Sequence, residues 1–204
     1  VLTTGSRVRK APIPGSELAN VHYLRNITDV EAIRSGLTPG SNLVIVGAGY
    51  IGLEVAAIAK KGGLNVTVLE MAERPLQRAV APELSDFYTK LHTDAGVDLR
   101  CNVRIESFSG STAVTGVNLK GAAPLPADIV IIGIGILPNT ELAEAAGLTI
   151  DNGIAVDEFC RTEDPSILSA GDCTSHPNRL LGRRLRLESV HNALEQAKTV
   201  ACTI

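Results

Sequence analysis

The chain has 204 residues, 45% of them hydrophobic and 20% charged, with a formal net charge of −3. That length buries one good core, as one domain or two small ones. The acidic balance excludes nucleic-acid binding through an overall basic surface, and 3% aromatic content leaves no stacking platform for single strands.

No apolar run approaches the roughly 18 residues that a membrane helix needs, so no membrane partner is expected. Cys101, Cys160, Cys173 and Cys202 show neither CxxC nor CxxxxC spacing. They read as reduced thiols of a cytoplasmic protein, not as a disulfide framework or a zinc site. His22, His92, His176 and His191 are scattered, and no metal site is expected. No signal peptide opens the chain. Its first residue is Val, so a segment from within a longer protein is expected.

Residues 1–26 carry the turn signals Thr4-Gly5-Ser6, Pro12 and Pro14-Gly15, and read as a crossover or linker. Val30 and Ile33 give residues 27–35 a helical period, which Pro39-Gly40-Ser41 breaks. Residues 42–46 are a short apolar run, the pattern of a buried parallel strand. Gly47-Ala48-Gly49-Tyr50-Ile51-Gly52 follows at once. A helix over 53–61, apolar at Leu53, Ala56, Ala57 and Ala59, ends at Gly62-Gly63. A second strand over 65–69 closes on Glu70.

The pattern then predicts a helix over 81–94, with Pro82 early, Gly96 as its stop, and Leu84, Phe87, Tyr88 and Leu91 as its apolar face. A third strand covers 97–101. Residues 103–108 and 113–119, with a turn at Gly121, predict antiparallel strands lying over the sheet. Residues 128–132 form another buried strand, ending in Gly133-Ile134-Gly135, and 141–146 a short helix stopped by Gly147. Beyond Asp151-Asn152-Gly153 come short strands at 154–156 and 167–170, then a helix from near Ser189 to the end. Arg179 to Arg186 reads as a basic, solvated loop.

Strand, G-x-G-x-x-G, helix, strand and acid form one unit. Gly47 permits the tight turn, Gly49 lets backbone approach a pyrophosphate, and Gly52 lets helix and strand pack closely. The phosphates sit at the positive end of the helix. Glu70, 18 residues after Gly52, is placed to accept hydrogen bonds from the adenosine ribose and to repel a 2′-phosphate. NAD(H) is therefore favoured over NADP(H), although Arg74 or Arg78 can swing toward a 2′-phosphate. Tyr50 and Glu54 share a helix face. They read either as a cover and a charge partner or carboxamide ligand for the nicotinamide, or as a packed Tyr and a solvated Glu. Gly133-Ile134-Gly135 reads either as a nicotinamide contact or as a strand-to-helix turn capped by Asn139 or Thr140.

Thr162, Ile167 and Ser169-Ala170-Gly171-Asp172 resemble the second flavin motif, T-x-x-x-x-[IVL]-x-A-x-G-D, of the FAD- and NAD(P)-dependent reductases of the glutathione-reductase structural class. Residues 186–193 resemble the segment that meets the flavin in NADH-dependent ferredoxin reductases of oxygenase systems, with Val190 where many relatives carry Trp. Leu2-Thr3-Thr4-Gly5-Ser6-Arg7 resembles the A-T-G-x-R turn of that family, and Tyr23-Leu24-Arg25 its Y-L-R segment. The resemblance spans essentially the whole chain.

It implies a Rossmann-like α/β NAD-binding domain at 26–151. Residues 1–25 and 152–204 are then pieces of a second Rossmann-like domain for FAD. It implies FAD contacts from Thr4, Gly5, Arg7, Arg25, Gly171, Asp172, Ser189 and Val190. Dinucleotide contacts fall to Gly47, Gly49, Tyr50, Ile51, Gly52, Glu54, Glu70, Arg78, Gly133, Ile134 and Gly135. It implies electrons passing from NADH through FAD to a [2Fe–2S] ferredoxin that feeds a monooxygenase or dioxygenase. Hydride transfer needs no acid–base residue, so no catalytic side chain is assigned. The first flavin motif and the third domain of the family have no counterpart in these residues, and an excised middle is expected. An NADH oxidase or disulfide reductase of the same superfamily is the alternative, as is a dinucleotide-binding module without catalysis.

Overall fold

The computed structural model describes residues 1–204. Its strands are β1 (Ser6–Val8), β2 (Val21–Tyr23), β3 (Asn42–Val46), β4 (Asn65–Leu69), β5 (Asp98–Arg100), β6 (Ile105–Gly110), β7 (Val114–Leu119), β8 (Leu125–Pro126), β9 (Ile129–Ile132), β10 (Ile136–Pro138), β11 (Ile154–Ala155), β12 (Thr174–Asn178) and β13 (Arg183–Leu185). Its helices are α1 (Ile27–Gly36), α2 (Tyr50–Lys61), α3 (Pro82–Asp94), α4 (Glu141–Ala145) and α5 (Val190–Thr203). No helix is long and apolar enough to cross a membrane.

The residues divide into two compact units, Val8–Gly135 and a discontinuous one made of Val1–Arg7 with Ile136–Ile204. These boundaries differ from the 25/26 and 151/152 breaks expected from sequence. In the first unit, β2, β9, β3, β4 and β5 form a parallel sheet in that order. Its strands are apolar on both faces because both are covered. Leu43, Ile45, Val66, Val68, Ile129 and Ile131 pack toward Leu53, Ala56 and Ala59 of α2. Val44, Val46, Leu69, Val130 and Ile132 pack toward Phe108, Val114, Val117 and Leu119 of an antiparallel β6-β7-β8 meander. The α/β fold with a meander over the sheet is thus present.

Several expected elements change. β2 lies inside the stretch read as linker, because a three-residue strand is too short to show a period. Tyr23 is fixed there by Lys10, whose Nζ lies 3.8 Å from the ring centroid, and its hydroxyl accepts from the Ala11 N–H at 2.9 Å. α2 begins at Tyr50, not Leu53, because Gly49 is its extended N-cap and the last half of the glycine turn is already helical. Leu84, Phe87 and Leu91 are exposed, so the apolar face of α3 points outward; Ser85 and His92 are its buried residues and Tyr88 packs on the core.

In the second unit β11, β12 and β13 form one sheet, β11 parallel and β13 antiparallel to β12. The arginine-rich stretch read as a loop thus contains a hairpin strand. Arg184 carries it by donating to the Val156 and Ser175 carbonyls. Residues 168–170 are buried, but the 167–170 stretch makes only isolated bridges, Leu2 with Ser169 and Arg161 with Leu168, in place of the expected strand.

Candidate functional site

The glycine turn lies at the carboxyl end of β3. Gly47 has φ +103°, and a Cβ there would stand 2.4 Å from the Gly133 carbonyl oxygen. The Gly133 N–H donates to the Val46 carbonyl at 2.8 Å, so the two glycine-rich turns lie side by side. A Cβ on Gly52 would stand 2.1 Å from the Gly47 carbonyl oxygen, so the helix can approach the strand only with glycine there. Gly49 differs: nothing lies within 4 Å of where its Cβ would be. This open flank borders the start of α2, which has no side-chain cap and no acidic residue in its first turn. Uncapped N–H groups and the helix dipole together favour an anion. The residues present therefore fit a pyrophosphate.

Glu70 is half-buried at the end of β4. Its Oε2 accepts from the Ala48 N–H at 2.7 Å and its Oε1 from the Ala72 N–H at 2.8 Å. A carboxylate offers about four acceptor sites, so these bonds orient it and leave capacity for a diol. The loop beyond is stitched to the same turn. Leu76, buried with a left-handed φ of 55°, donates its N–H to the Ala48 carbonyl at 2.9 Å.

Arg74, one of two arginines read as able to swing toward a 2′-phosphate, is held by internal bonds. Its guanidinium donates to the Val80 carbonyl at 3.0 Å, the Gln77 carbonyl at 3.2 Å and Ser85 Oγ at 2.5 Å. Arg78 is exposed. Tyr50, Ile51 and Glu54 are also exposed on the first turns of α2, so Tyr50 is not a packed core residue. Gly135 has φ +101° and its carbonyl accepts from the Arg9 N–H at 2.9 Å, while Ile134 packs on the meander-side core.

The other unit assembles most of the expected flavin residues. Ser6 Oγ donates to Asp172 Oδ2 at 3.1 Å. Gly171, at φ +89°, donates its N–H to Gln196 Oε1 at 2.7 Å, and its Cβ position lies 3.9 Å from that of Ala193. Ser189 is the N-cap of α5 and accepts from the Asn192 N–H at 3.1 Å; Val190 beside it is exposed. Thr4 Oγ1 donates to the Asn139 carbonyl at 2.5 Å, and Asn139 Nδ2 donates to the Thr4 carbonyl at 2.8 Å, across the Gly5 turn. Arg7 binds Asn139 Oδ1 and Glu141, both at 2.7 Å. Thr140 is the N-cap of α4, but its hydroxyl donates to Glu144 Oε1 at 2.5 Å and caps no backbone N–H. Arg25 belongs to the other unit, where it is exposed and its N–H is held by Asp29 at 2.8 Å.

Sequence reasoning missed Gln196, and it read Asn139 only as a candidate cap and Ser6 only as part of the glycine turn. Gln196 is buried, and its Oε1 also accepts from Thr174 Oγ1 at 2.9 Å. Its signal is an amide four residues before Val200 on the inward face of α5, where an apolar residue would otherwise stand.

Comparison with known proteins is consistent with this geometry. The model of the pyridine nucleotide-disulphide oxidoreductase family matches residues 1–197. Putidaredoxin reductase of Pseudomonas putida is 47% identical over 210 aligned residues, which cover 100% of this chain and 50% of that protein. The ferredoxin–NAD(+) reductase component of the anthranilate 1,2-dioxygenase system of Burkholderia cepacia is 42% identical over 206, covering 100% and 50%. The crystal structure of the covalent putidaredoxin reductase–putidaredoxin complex matches with a TM-score of 0.95 and 46% identity, over 98% of this chain and 50% of that one. The chain spans about half the length of the curated relatives it matches. With its glycine turns, its pinned acid and a family match over nearly all its length, the chain belongs to the pyridine nucleotide-disulphide oxidoreductase family.

Proposed function

We propose that this chain forms the dinucleotide-binding unit and part of the flavin-binding unit of an NADH-dependent reductase. The reductase passes electrons through FAD to a [2Fe–2S] ferredoxin that serves an oxygenase, in the cytoplasm. One observation carries the reading: the open flank of Gly49, at an uncapped helix start, beside a carboxylate fixed by two backbone N–H groups. The ferredoxin and the oxygenase are supported by the names of the relatives.

Gly47, Gly49 and Gly52 give the pyrophosphate its backbone cradle, and Glu70 accepts from the ribose hydroxyls. Arg78 flanks the adenosine end. Tyr50, Ile51, Glu54, Gly133, Ile134 and Gly135 form the nicotinamide end. Thr4, Gly5, Arg7, Arg25, Gly171, Asp172, Ser189 and Val190 hold FAD, with Asp172 oriented by Ser6. FAD, when bound, supplies the change from two-electron to one-electron transfer. The protein binds, orients and places charge, and moves no proton.

The test is dinucleotide binding by the 204-residue chain. Glu70→Ala should weaken NADH by about tenfold or more, the worth of a hydrogen bond to a charged group, and NADPH less. Equal losses for both refute the ribose role. Visible flavin absorbance and NADH-driven reduction of added ferredoxin test the electron path. A colourless preparation that still binds NADH leaves a binding module, and oxygen consumption without ferredoxin reduction points to an oxidase.

A further inference from the structure

A concavity lies at the base of the β6–β7 hairpin in the Val8–Gly135 unit. It measures about 280 Å³ and is lined by Asn102, Arg104 and Lys120. Two sets of backbone pairings create it. Ile105 opposes Leu119 at the open end of the β6–β7 hairpin, and the Lys120 N–H donates to the Arg104 carbonyl at 2.9 Å. The two cationic side chains therefore leave neighbouring points on the hairpin. Asn102, with a left-handed φ of 58°, lies two residues past the end of β5. Its N–H donates to the Ala72 carbonyl, and the next N–H, of Val103, to the Glu70 carbonyl, both at 2.9 Å.

The Asn102 edge is thus sewn to the segment that carries the ribose-facing acid. The thiol of Cys101 reports the same proximity: burial raises its pKa, and the Glu70 charge raises it further.

The lining is of one sign. It holds a guanidinium, an ammonium and an amide, with no carboxylate. Two other cations of this unit have carboxylate partners, Lys90 with Asp94 and Arg100 with Asp98, whereas exposed ones such as Arg78 have none. The side chains of Asn102, Arg104 and Lys120 make no hydrogen bond or ion pair within the chain. An Arg fork matches two oxygens of one phosphoryl group, a Lys adds a point charge, and an amide adds a neutral donor. Two uncompensated cations suit a dianion. The volume is just below the range of about 300–1,000 Å³ for cofactor pockets, so a small anion suits it better than a whole cofactor.

We propose that Asn102, Arg104 and Lys120 form a binding site for a phosphoryl group. The group comes either from a phosphate on the adenosine ribose of a dinucleotide or from free inorganic phosphate. The first source rests on the dinucleotide reading above but runs against its preference for NADH, because Glu70 repels a 2′-phosphate; the second rests on neither.

Phosphorus NMR titrations of the chain with inorganic phosphate, 5′-AMP and 2′,5′-ADP test this, at about 0.1 M salt so that diffuse attraction is screened. The comparison protein is the double variant Arg104→Gln, Lys120→Gln. Both positions are exposed, and its melting temperature should match the parent. The expected result is at least about tenfold weaker binding of the phosphoryl probe by the variant. If 2′,5′-ADP binds more tightly than 5′-AMP and the variant erases that margin, the ribose phosphate is the source. If the variant loses inorganic phosphate while both proteins bind the two nucleotides alike, free phosphate is the source. Affinity for inorganic phosphate and for the 2′-phosphate that is unchanged by removal of both charges overturns the proposal. NADH binding, measured separately, decides the functional reading without touching the phosphate result.

Discussion

The Glu70 carboxylate accepts a hydrogen bond from the Ala48 N–H at 2.7 Å. An acid at the end of one strand thereby grips the turn at the end of its neighbour. Its other oxygen takes the Ala72 N–H at 2.8 Å, so neither oxygen can become a donor without losing a bond. Glu70→Gln should therefore behave differently from a purely ligand-facing change. The amide can serve one N–H and leaves the other facing a donor. The expected result is NADH binding about tenfold weaker, with a lower urea midpoint of unfolding, since a charge-assisted bond is worth roughly 1.5–3 kcal/mol. An unchanged midpoint would show that the grip adds nothing to stability.

Gly49 and Gly52 should separate binding from folding. Gly52→Ala drives a Cβ to 2.1 Å from the Gly47 carbonyl oxygen, so the helix or the turn must move. Such overpacking costs about 1–3 kcal/mol, and NADH binding should be lost. Gly49→Ala meets nothing within 4 Å and its φ of −81° suits alanine. Its melting curve should change by no more than about 1 kcal/mol, the cost of alanine at an N-cap, while NADH affinity falls at least about tenfold. Full NADH affinity in Gly49→Ala would mean that the open flank is not where the dinucleotide lies.

Arg74 and Arg78 are expected to differ as well. Arg74→Met removes three donations that brace the loop 75–81 and the first turn of α3, so NADH and NADPH should weaken together and keep their ratio. Arg78→Glu changes an exposed charge and should penalise NADPH more than NADH. Paired titrations with the two dinucleotides read the ratio. A shifted ratio in Arg74→Met contradicts the bracing role.

Gln196→Leu should destabilise the discontinuous unit by about 1–3 kcal/mol, because the part-buried Gly171 N–H and the buried Thr174 hydroxyl lose this acceptor. Amide exchange at Gly171 should accelerate. Unchanged exchange there would mean that another group satisfies the N–H.

Acid should weaken the fold. Burial lowers the pKa of His92 from its ordinary 6.5, and burial lowers His22 and His176 in the same way, with the nearby Arg184 charge adding to the effect at His176. A lowered folded pKa means that the unfolded chain takes up protons first. Stability is therefore full above about pH 6.5 and declines as pH falls below it, until the folded histidines also protonate. Urea midpoints at pH 7.5 and 5.5 measure the decline, and His92→Gln should make it shallower. A midpoint that does not fall between those values contradicts the assignment.

Much of this was legible in the residues. β3 and β4 fall on the expected 42–46 and 65–69 because both are apolar runs between turn residues, buried on two faces. The glycine turn and Glu70 were legible as a spacing. What holds Glu70 was not, since it depends on the backbone N–H groups of Ala48 and Ala72, which no side-chain pattern encodes. α3 misled because Leu84, Phe87 and Leu91 have helical spacing yet face outward. The inward position at Ser85 is a polar junction, donating to the Pro75 carbonyl at 2.6 Å and accepting from Arg74. β12 escaped notice because Pro177 interrupts it, and β13 because arginines fill it.

The bond from Ser169 Oγ to the Leu2 carbonyl, at 2.9 Å, joins positions 167 residues apart. During synthesis the continuous Val8–Gly135 unit emerges complete while the other unit still lacks most of its residues. The first seven residues must wait for partners beyond residue 135, and an unfolded span between them carries a large closure entropy. Prior folding of the continuous unit removes that freedom. Folding of the continuous Val8–Gly135 unit is thereby expected to precede closure of the discontinuous one.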